Sequence, residues 1–296
     1  EKPLGKSKTP ITIIPYINLL KSNNFEIGRK TNDFQYGGDG RIYIGTGLNL
    51  DVTINPDFSQ IEVDDQIINL TRFALRLPEK RQFFIQNSDL FSGFGDIYEN
   101  QPFFTRRIGV TKDINGNTIQ NKIHAGIRLS GKLTNKLRVG LLNMQTAEDE
   151  MNLIPSNNNT VLSFQQSIFS KSNFKFLFVN RQKTGKNNSL LNQEKYNRVL
   201  GFDYNFISKD DKIRGKVFFY NTFSPSVNKE GFSSGGWFNY NTRNNRFRTA
   251  FFKTTPNFTS DLGFTRRTDF KKNYTSYNRV FYPKSKSLQS IEFGPQ

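Results

Sequence analysis

The run RIYIGTGLNLDVTI, residues 41–54, places Ile42, Ile44, Thr46, Leu48, Leu50, Val52 and Ile54 on one face. Arg41, Tyr43, Gly45, Gly47, Asn49, Asp51 and Thr53 fall on the other. Alternation with period two is the signature of a β-strand whose two faces meet different surroundings. A strand of a globular domain is usually about 5–6 residues long, whereas crossing a bilayer at a tilt takes about 9–11. A run of this length therefore predicts a membrane-crossing strand. Gly45 and Gly47, on its polar side, would leave room for something packed inside.

The same alternation recurs outward from this run. Candidate strands are Pro10 to Leu20, Lys122 to Ser130, Lys136 to Gln145, Thr160 to Phe169, Asn173 to Gln182, Asn197 to Ile207 and Lys212 to Phe223. Further candidates are Phe232 to Asn241, Arg246 to Thr254, Asn257 to Arg266, Ser276 to Tyr282 and Leu288 to Phe293, for about thirteen in all. Short polar turns (Gly131 to Asn135, Ser170 to Ser172, Ser208 to Asp211, Thr242 to Asn245) alternate with longer ones (Thr146 to Asn159, Lys183 to Tyr196, Ser224 to Gly231). Outer-membrane barrels pair short periplasmic turns with long external loops in this way. Carried back to the start of the chain, however, the alternation begins the first strand outside, at odds with a periplasmic N-terminus.

Composition agrees with strands that have one apolar face. Phenylalanine occurs 30 times and aromatics reach 14%, yet only 35% of the 296 residues are hydrophobic and mean hydropathy is −0.62. No stretch approaches the roughly 18 apolar residues a membrane-spanning helix requires. The chain starts at Glu1 with no charged-then-apolar leader, so any signal peptide is expected to be removed or to lie upstream. Zero cysteines exclude disulfides and thiolate metal sites. The net charge of +17 calls for anionic partners, an anion-favouring lumen or a phosphorylated lipid surface. Nucleic acid is not expected, because the basic residues are dispersed and no RNP, zinc-finger or helix-turn-helix pattern occurs.

Residues 55–121 interrupt the alternation with dense charge, a Pro-Glu-Lys-Arg stretch at 78–81 and the pairs Phe83-Phe84 and Phe103-Phe104. The interval is too long for a plain loop. It reads as a folded plug or constricting loop in a barrel lumen, or as an external cap. Within it, NPDFSQIEVDDQIINLTRFALRLPEKRQFFIQNSDLF (55–91) and PFFTRRIG (102–109) resemble the signature of an uncharacterised outer-membrane β-barrel family, a domain of unknown function. That family often follows a periplasmic module similar to family-9 carbohydrate-binding domains. The resemblance continues through GIRLSGK (126–132) and GLLNMQT (140–146) and weakens beyond about Arg181. Ala74 and Arg76 depart from it, where the family usually shows an acidic residue and an aromatic. The resemblance implies a barrel and a place in the outer membrane of a Gram-negative bacterium, with no established chemistry. The carbohydrate-binding module is not visible in this sequence.

The expected fold is thus all-β: an antiparallel transmembrane β-barrel formed by residues 1–296 as one domain, either incomplete or closing with about twelve to fourteen strands, with 55–121 inserted. The expected site is an ion-pair network of plug and lumen: Glu62, Asp64, Asp65, Arg72, Glu79, Lys80, Arg81, Arg106, Arg107 and Arg128. Buried charges persist only when paired. The acidic cluster Glu62, Asp64 and Asp65, with Asp51 and Asp57, lacks the spacing of a calcium loop. His124, the single histidine, is assigned to the polar face with Lys122, Arg128 and Ser130, away from where a membrane hydrolase needs it. Glycines 37, 38 and 40 and the pair Gly235-Gly236 read as turns or strand kinks. Trp237, Tyr240, Phe218, Phe219, Tyr220, Phe251, Phe252, Phe281 and Tyr282 suit interfacial aromatic girdles. No catalytic residue, metal or cofactor is expected. Expected partners are outer-membrane lipid and lipopolysaccharide and a periplasmic or surface protein; expected functions are a conduit for polar or anionic solutes, a non-transporting anchor or a membrane hydrolase.

Overall fold

The computed structural model describes residues 10–24, 29–56, 78–112, 118–185, 194–225, 231–284 and 289–295. The strands are β1 (Ile11–Asn24), β2 (Arg29–Ile44), β3 (Leu48–Ile54), β4 (Asn100–Gln101), β5 (Val110–Lys112), β6 (Thr118–Gln120), β7 (Ile123–Lys132), β8 (Leu137–Thr146) and β9 (Asn157–Ile168). They continue as β10 (Ser172–Lys183), β11 (Tyr196–Ile207), β12 (Ile213–Phe223), β13 (Gly231–Asn241), β14 (Asn245–Thr254), β15 (Phe264–Thr265), β16 (Phe270–Phe281) and β17 (Ile291–Phe293). Thirteen of them form one antiparallel sheet in the order β1-β2-β3-β7-β8-β9-β10-β11-β12-β13-β14-β16-β17. Every strand pairs with its predecessor in this sheet, so the chain is a meander. No helix among the described residues is long and apolar enough to cross a membrane.

Three expectations are corrected. First, residues 41–54 are not one strand: β2 ends at Ile44, and β3 returns from Leu48 after a turn at 45–47. Gly45 sits at φ +61, and a Cβ on Gly47 would lie 2.5 Å from the Lys132 carbonyl oxygen, so both glycines make the turn instead of opening space. Alternation could not reveal this turn. Ile44 faces Leu48 and Arg41 faces Asp51 across the hairpin, and both pairs have matching parity, so the pattern runs through a three-residue loop unbroken.

Second, Asn257 to Arg266 is not a strand of the large sheet; it contributes only β15, paired with β4. Phe258, Leu262 and Phe264 are buried there, so the apolar residues that suggested a strand pack as a folded loop. The extra hairpin and the lost strand offset one another, and the count of thirteen survives with altered membership. Third, the sheet is not closed into a barrel. Among the described residues β1 pairs only with β2 and β17 only with β16, over Arg279↔Phe293 to Phe281↔Ile291. Thirteen consecutive antiparallel strands leave β1 and β17 running the same way, which is not the arrangement that continues an antiparallel ladder.

The connections separate by end. At one end lie 45–47, 133–136, 169–171, 208–212, 242–244 and the longer 282–290; at the other lie the short 25–28 and the longer 55–122, 147–156, 184–195, 224–230 and 255–269. Splitting the 41–54 run adds one strand, which moves the start of β1 to the short-turn end and removes the inconsistency in the alternation.

One face of the sheet is covered. Residues 78–109, which hold the single-turn helix α1 (Gln82–Ile85) and two 3-10 turns (Ser88–Leu90, Thr105–Arg107), lie against it. Phe84, Leu90, Phe91, Phe94, Phe103 and Ile108 from this segment share one buried cluster with Leu142, Val161, Leu177, Val199, Phe218 and Phe252 from the strands. Room for Phe91 comes from Gly140 on β8, where a Cβ would stand 2.8 Å from the ring. The part of the inserted interval at 57–77 lies outside the described residues.

Candidate functional site

The covered face carries charges at register positions that alternation predicts to point inward. Arg41, Asp51 and Arg128 are directly opposite one another across β2, β3 and β7, so they form a row. Arg41 Nε donates to Asp51 Oδ1 at 2.6 Å and Arg128 Nη2 to Asp51 Oδ2 at 2.8 Å. Asp51 is buried at 3% exposure and Arg128 at 1%. The remaining guanidinium nitrogen of Arg128 donates to the carbonyls of Phe83 and of Gln86, the latter at 2.7 Å. A buried carboxylate held by two arginines thus orients one of them to hold the covering segment. Such a pair persists in a low-dielectric interior because its remaining donors are satisfied.

A second group repeats the logic eight strands into the sheet. Asp203 on β11 is fully buried and pairs with Lys216 Nζ of β12 at 2.7 Å. It also accepts from the Tyr220 hydroxyl and from the Gly95 backbone amide, at 3.2 Å to Oδ2. Lys216 in turn donates to the carbonyls of Gly93 (3.0 Å) and Gly95 (2.5 Å). Farther along, Glu99 pairs with Lys272 of β16 at 2.6 Å, and Asp89 with Arg138 of β8 at 2.5 Å. The segment is therefore tied from β7 to β16. Arg138 holds the Asp89 carboxyl below its ordinary range by hydrogen bonding, outweighing the opposite effect of burial.

The expected network divides on inspection of its members. Glu79 and Arg81 form a bidentate pair, Nη2 to Oε2 at 2.7 Å and Nε to Oε1 at 2.8 Å. Arg81 then donates to the carbonyls of Ile108 (2.7 Å) and Thr105 (2.8 Å), closing the segment on itself. Burial pushes the Glu79 carboxyl up, but the Arg81 bonds outweigh it and hold the group below its ordinary value. Arg106 and Arg107 use carbonyls, Pro78 at 2.6 Å and Gly263 at 3.0 Å. Lys80 is exposed. Glu62, Asp64, Asp65 and Arg72 lie outside the described residues. Asp203, Lys216, Glu99, Lys272, Asp89 and Arg138 were missed. Asp203 was legible as a lone charge in the inward row Asn197, Val199, Gly201, Asp203.

His124 is not on the covered face. The β7–β8 register shifts between Ile123 and Ala125, and this bulge turns Ile123 into the core while His124 is exposed. Glycines 37, 38 and 40 lie within β2 and Gly235-Gly236 within β13. Among the described residues no group of three or more histidines or acidic residues could hold a metal.

The opposite face is apolar and exposed. Phe174 stacks on Phe202 (5.7 Å between centroids), Phe202 adjoins Phe219 (6.4 Å), and Phe219 stacks on Phe232 (5.7 Å). This ladder crosses four strands, β10 to β13. Phe164, Leu200, Val217, Phe238 and Phe251 extend it. The girdle assignment is half corrected: Phe219, Tyr240, Phe251, Phe281 and Tyr282 are exposed, whereas Phe218, Tyr220 and Phe252 are buried and Trp237 packs against the core. Strand parity separates Phe219 and Phe251 from Phe218, Tyr220 and Phe252 on the same strands, and Tyr282 lies just beyond the end of β16.

No curated protein matches the sequence. A family model matches residues 8–294, nearly the whole chain. The chain belongs to the family described as a domain of unknown function, DUF5916.

Proposed function

We propose that the sheet is the wall of an outer-membrane β-barrel of a Gram-negative bacterium, and that it serves as a conduit for polar or anionic solutes narrowed by residues 78–109. The exposed aromatic ladder on the face opposite a charge-bearing core carries this reading. In water such a surface is costly and prone to association; in hydrocarbon each fully buried ring is worth about 1.5–3 kcal/mol. The ten residues of β7, β8 and β14 and the twelve of β9 to β11 suit a tilted crossing, which takes about 9–11. Short turns at one end and long connections at the other, with 25–28 and 282–290 as the two exceptions, support the same reading. Lipid and lipopolysaccharide are then the partners of the outer face and its basic ends.

Closure of the wall takes either a parallel pairing of β1 with β17 or one additional strand that restores the antiparallel sense. A second reading, a non-transporting anchor for a periplasmic or surface protein, is favoured by how firmly 78–109 is pinned, through Asp51–Arg128, Asp203–Lys216 and Glu99–Lys272. Detergent partitioning with heat-dependent gel migration tests the wall, and reconstitution in planar bilayers separates the two readings. Anion-preferring conductance supports the conduit. A detergent-folded protein that never conducts supports the anchor, and a chain that is soluble and monomeric without detergent overturns both.

A further inference from the structure

At the long-connection end of the covered face lies a cavity of about 300 Å³. Its lining brings together the guanidinium groups of Arg107 and Arg181, the amide side chains of Asn121, Asn157 and Asn159, and the Thr146 hydroxyl; of these, Asn157 Nδ2 and the Thr146 hydroxyl already donate to the carbonyls of Pro155 and Asn157, respectively. Arg181, on β10, is 3% exposed. Its Nε pairs with Asp261 Oδ2 at 2.7 Å and its Nη1 donates to the Glu194 carbonyl at 2.8 Å, but Nη2 is buried with no partner. Asn121 is 6% exposed, its backbone amide donates to Gly109 O at 2.9 Å, and its side-chain Oδ1 is likewise unpartnered.

A buried polar group without a partner costs about 1–3 kcal/mol in lost solvation, and of ten such side-chain atoms among the described residues two belong to the lining of this cavity. Here an orphan donor, Arg181 Nη2, and an orphan acceptor, Asn121 Oδ1, lie in the walls of the same half-open space; the donor calls for an anionic oxygen and the acceptor for a hydroxyl or other donor beside it on the ligand. Among the described residues two guanidinium groups line it against one carboxylate, and that carboxylate, Asp261, is already paired with Arg181. Arg107 reaches the space with only its Nε engaged, at Gly263. The lining is held in place: Asp261 N donates to Asn197 Oδ1 at 3.0 Å from outside the cavity, and within its wall the Thr146 hydroxyl accepts from Asn157 N at 3.1 Å and donates to the Asn157 carbonyl at 3.2 Å. The space is therefore pre-formed instead of awaiting closure.

We infer that this cavity is a binding site for an oxyanion group, a carboxylate or phosphate, carried by a small molecule. A planar or tetrahedral oxyanion is the ligand class that guanidinium groups recognise, with Arg107 offering its two Nη groups and Arg181 the single donor Nη2. The volume is at the lower end of small-molecule sites, roughly 300–1,000 Å³. The inference holds for either reading of the sheet, because it depends on the cavity and not on what surrounds the outer face.

The test titrates the folded chain, in detergent, with inorganic phosphate, with succinate and with uncharged glucose, by calorimetry and by the rise in unfolding temperature that mass action requires. Saturable binding of phosphate or succinate, without glucose binding, is expected. Phosphate alone identifies a phosphoryl ligand, succinate alone a carboxylate. Asn121→Asp keeps the side-chain shape while adding a repelling charge, and Arg107→Gln removes a cation at the cavity mouth. Each is expected to weaken binding at least tenfold, and having both keeps the test decisive if one fails to fold. Absence of saturable binding to either anion, or equal binding by the wild type and both variants, overturns the inference.

Discussion

At the scale of single residues, the buried charges set the sharpest expectations. Asp203 is fully buried and Lys216 is 9% exposed at the side chain, so Asp203→Ala leaves an ammonium with carbonyls but no counter-charge. Breaking such a pair from one side typically costs about 3–5 kcal/mol, while replacing both members by apolar residues is often near neutral. Urea unfolding followed by heat-dependent migration should therefore show a large loss for Asp203→Ala and a much smaller one for Asp203→Leu with Lys216→Met. Glu79 supplies a pH dependence. Its folded pKa is lowered from an ordinary 4.5, so its contribution is complete above that value and is lost as pH falls through the depressed one. The stability gap between wild type and Glu79→Gln should be widest near neutral pH and shrink on acidification below about pH 4.5. A gap that grew on acidification would sink the assignment.

The turn at 45–47 shows at the scale of elements how one backbone feature controls register. Gly45 has φ +61 with open space around its Cβ position, whereas Gly131, at φ +139 in the neighbouring β7, would bring a Cβ within 2.0 Å of the Gly47 carbonyl oxygen. Alanine at 45 meets only the left-handed backbone penalty, roughly 1–2 kcal/mol. Alanine at 131 meets backbone strain and a clash that forces β3 and β7 apart. Equilibrium unfolding should rank Gly131→Ala as at least twice as destabilising as Gly45→Ala. Equal effects would mean that Gly131 is not packed against the Gly47 backbone.

For the molecule as a whole, the two faces of the sheet respond differently to the same chemistry if the outer one meets lipid. Phe219 is 39% exposed within the ladder, while Phe218 beside it is 4% exposed in the core. In lipid, Phe219→Arg costs about 2–4 kcal/mol near the bilayer midplane and blocks insertion. In water the same change is harmless or improves solubility. Insertion into vesicles, measured by protease protection, is expected to fail for Phe219→Arg. Normal folding of this variant without detergent would remove the membrane reading.

Period-two patterning in the sequence determined most of the strands, the all-β antiparallel class and the separation of short turns from long connections, because side-chain direction in a strand depends only on parity. The second part of the family-like stretch, residues 78–109, is the segment that covers the sheet. Where parity is blind, the sequence misled: a three-residue turn preserves it at 45–47, and a bulge inverts it at His124. Which carboxylate meets which cation was not legible either. Glu79 finds Arg81 two residues away, but Asp203 finds Gly95, Lys216 and Tyr220, and Glu99 finds Lys272 across most of the chain. The tertiary structure alone decided these partners, because a strand's register dictates only which face a charge occupies, and the segment laid across that face dictates what the charge holds.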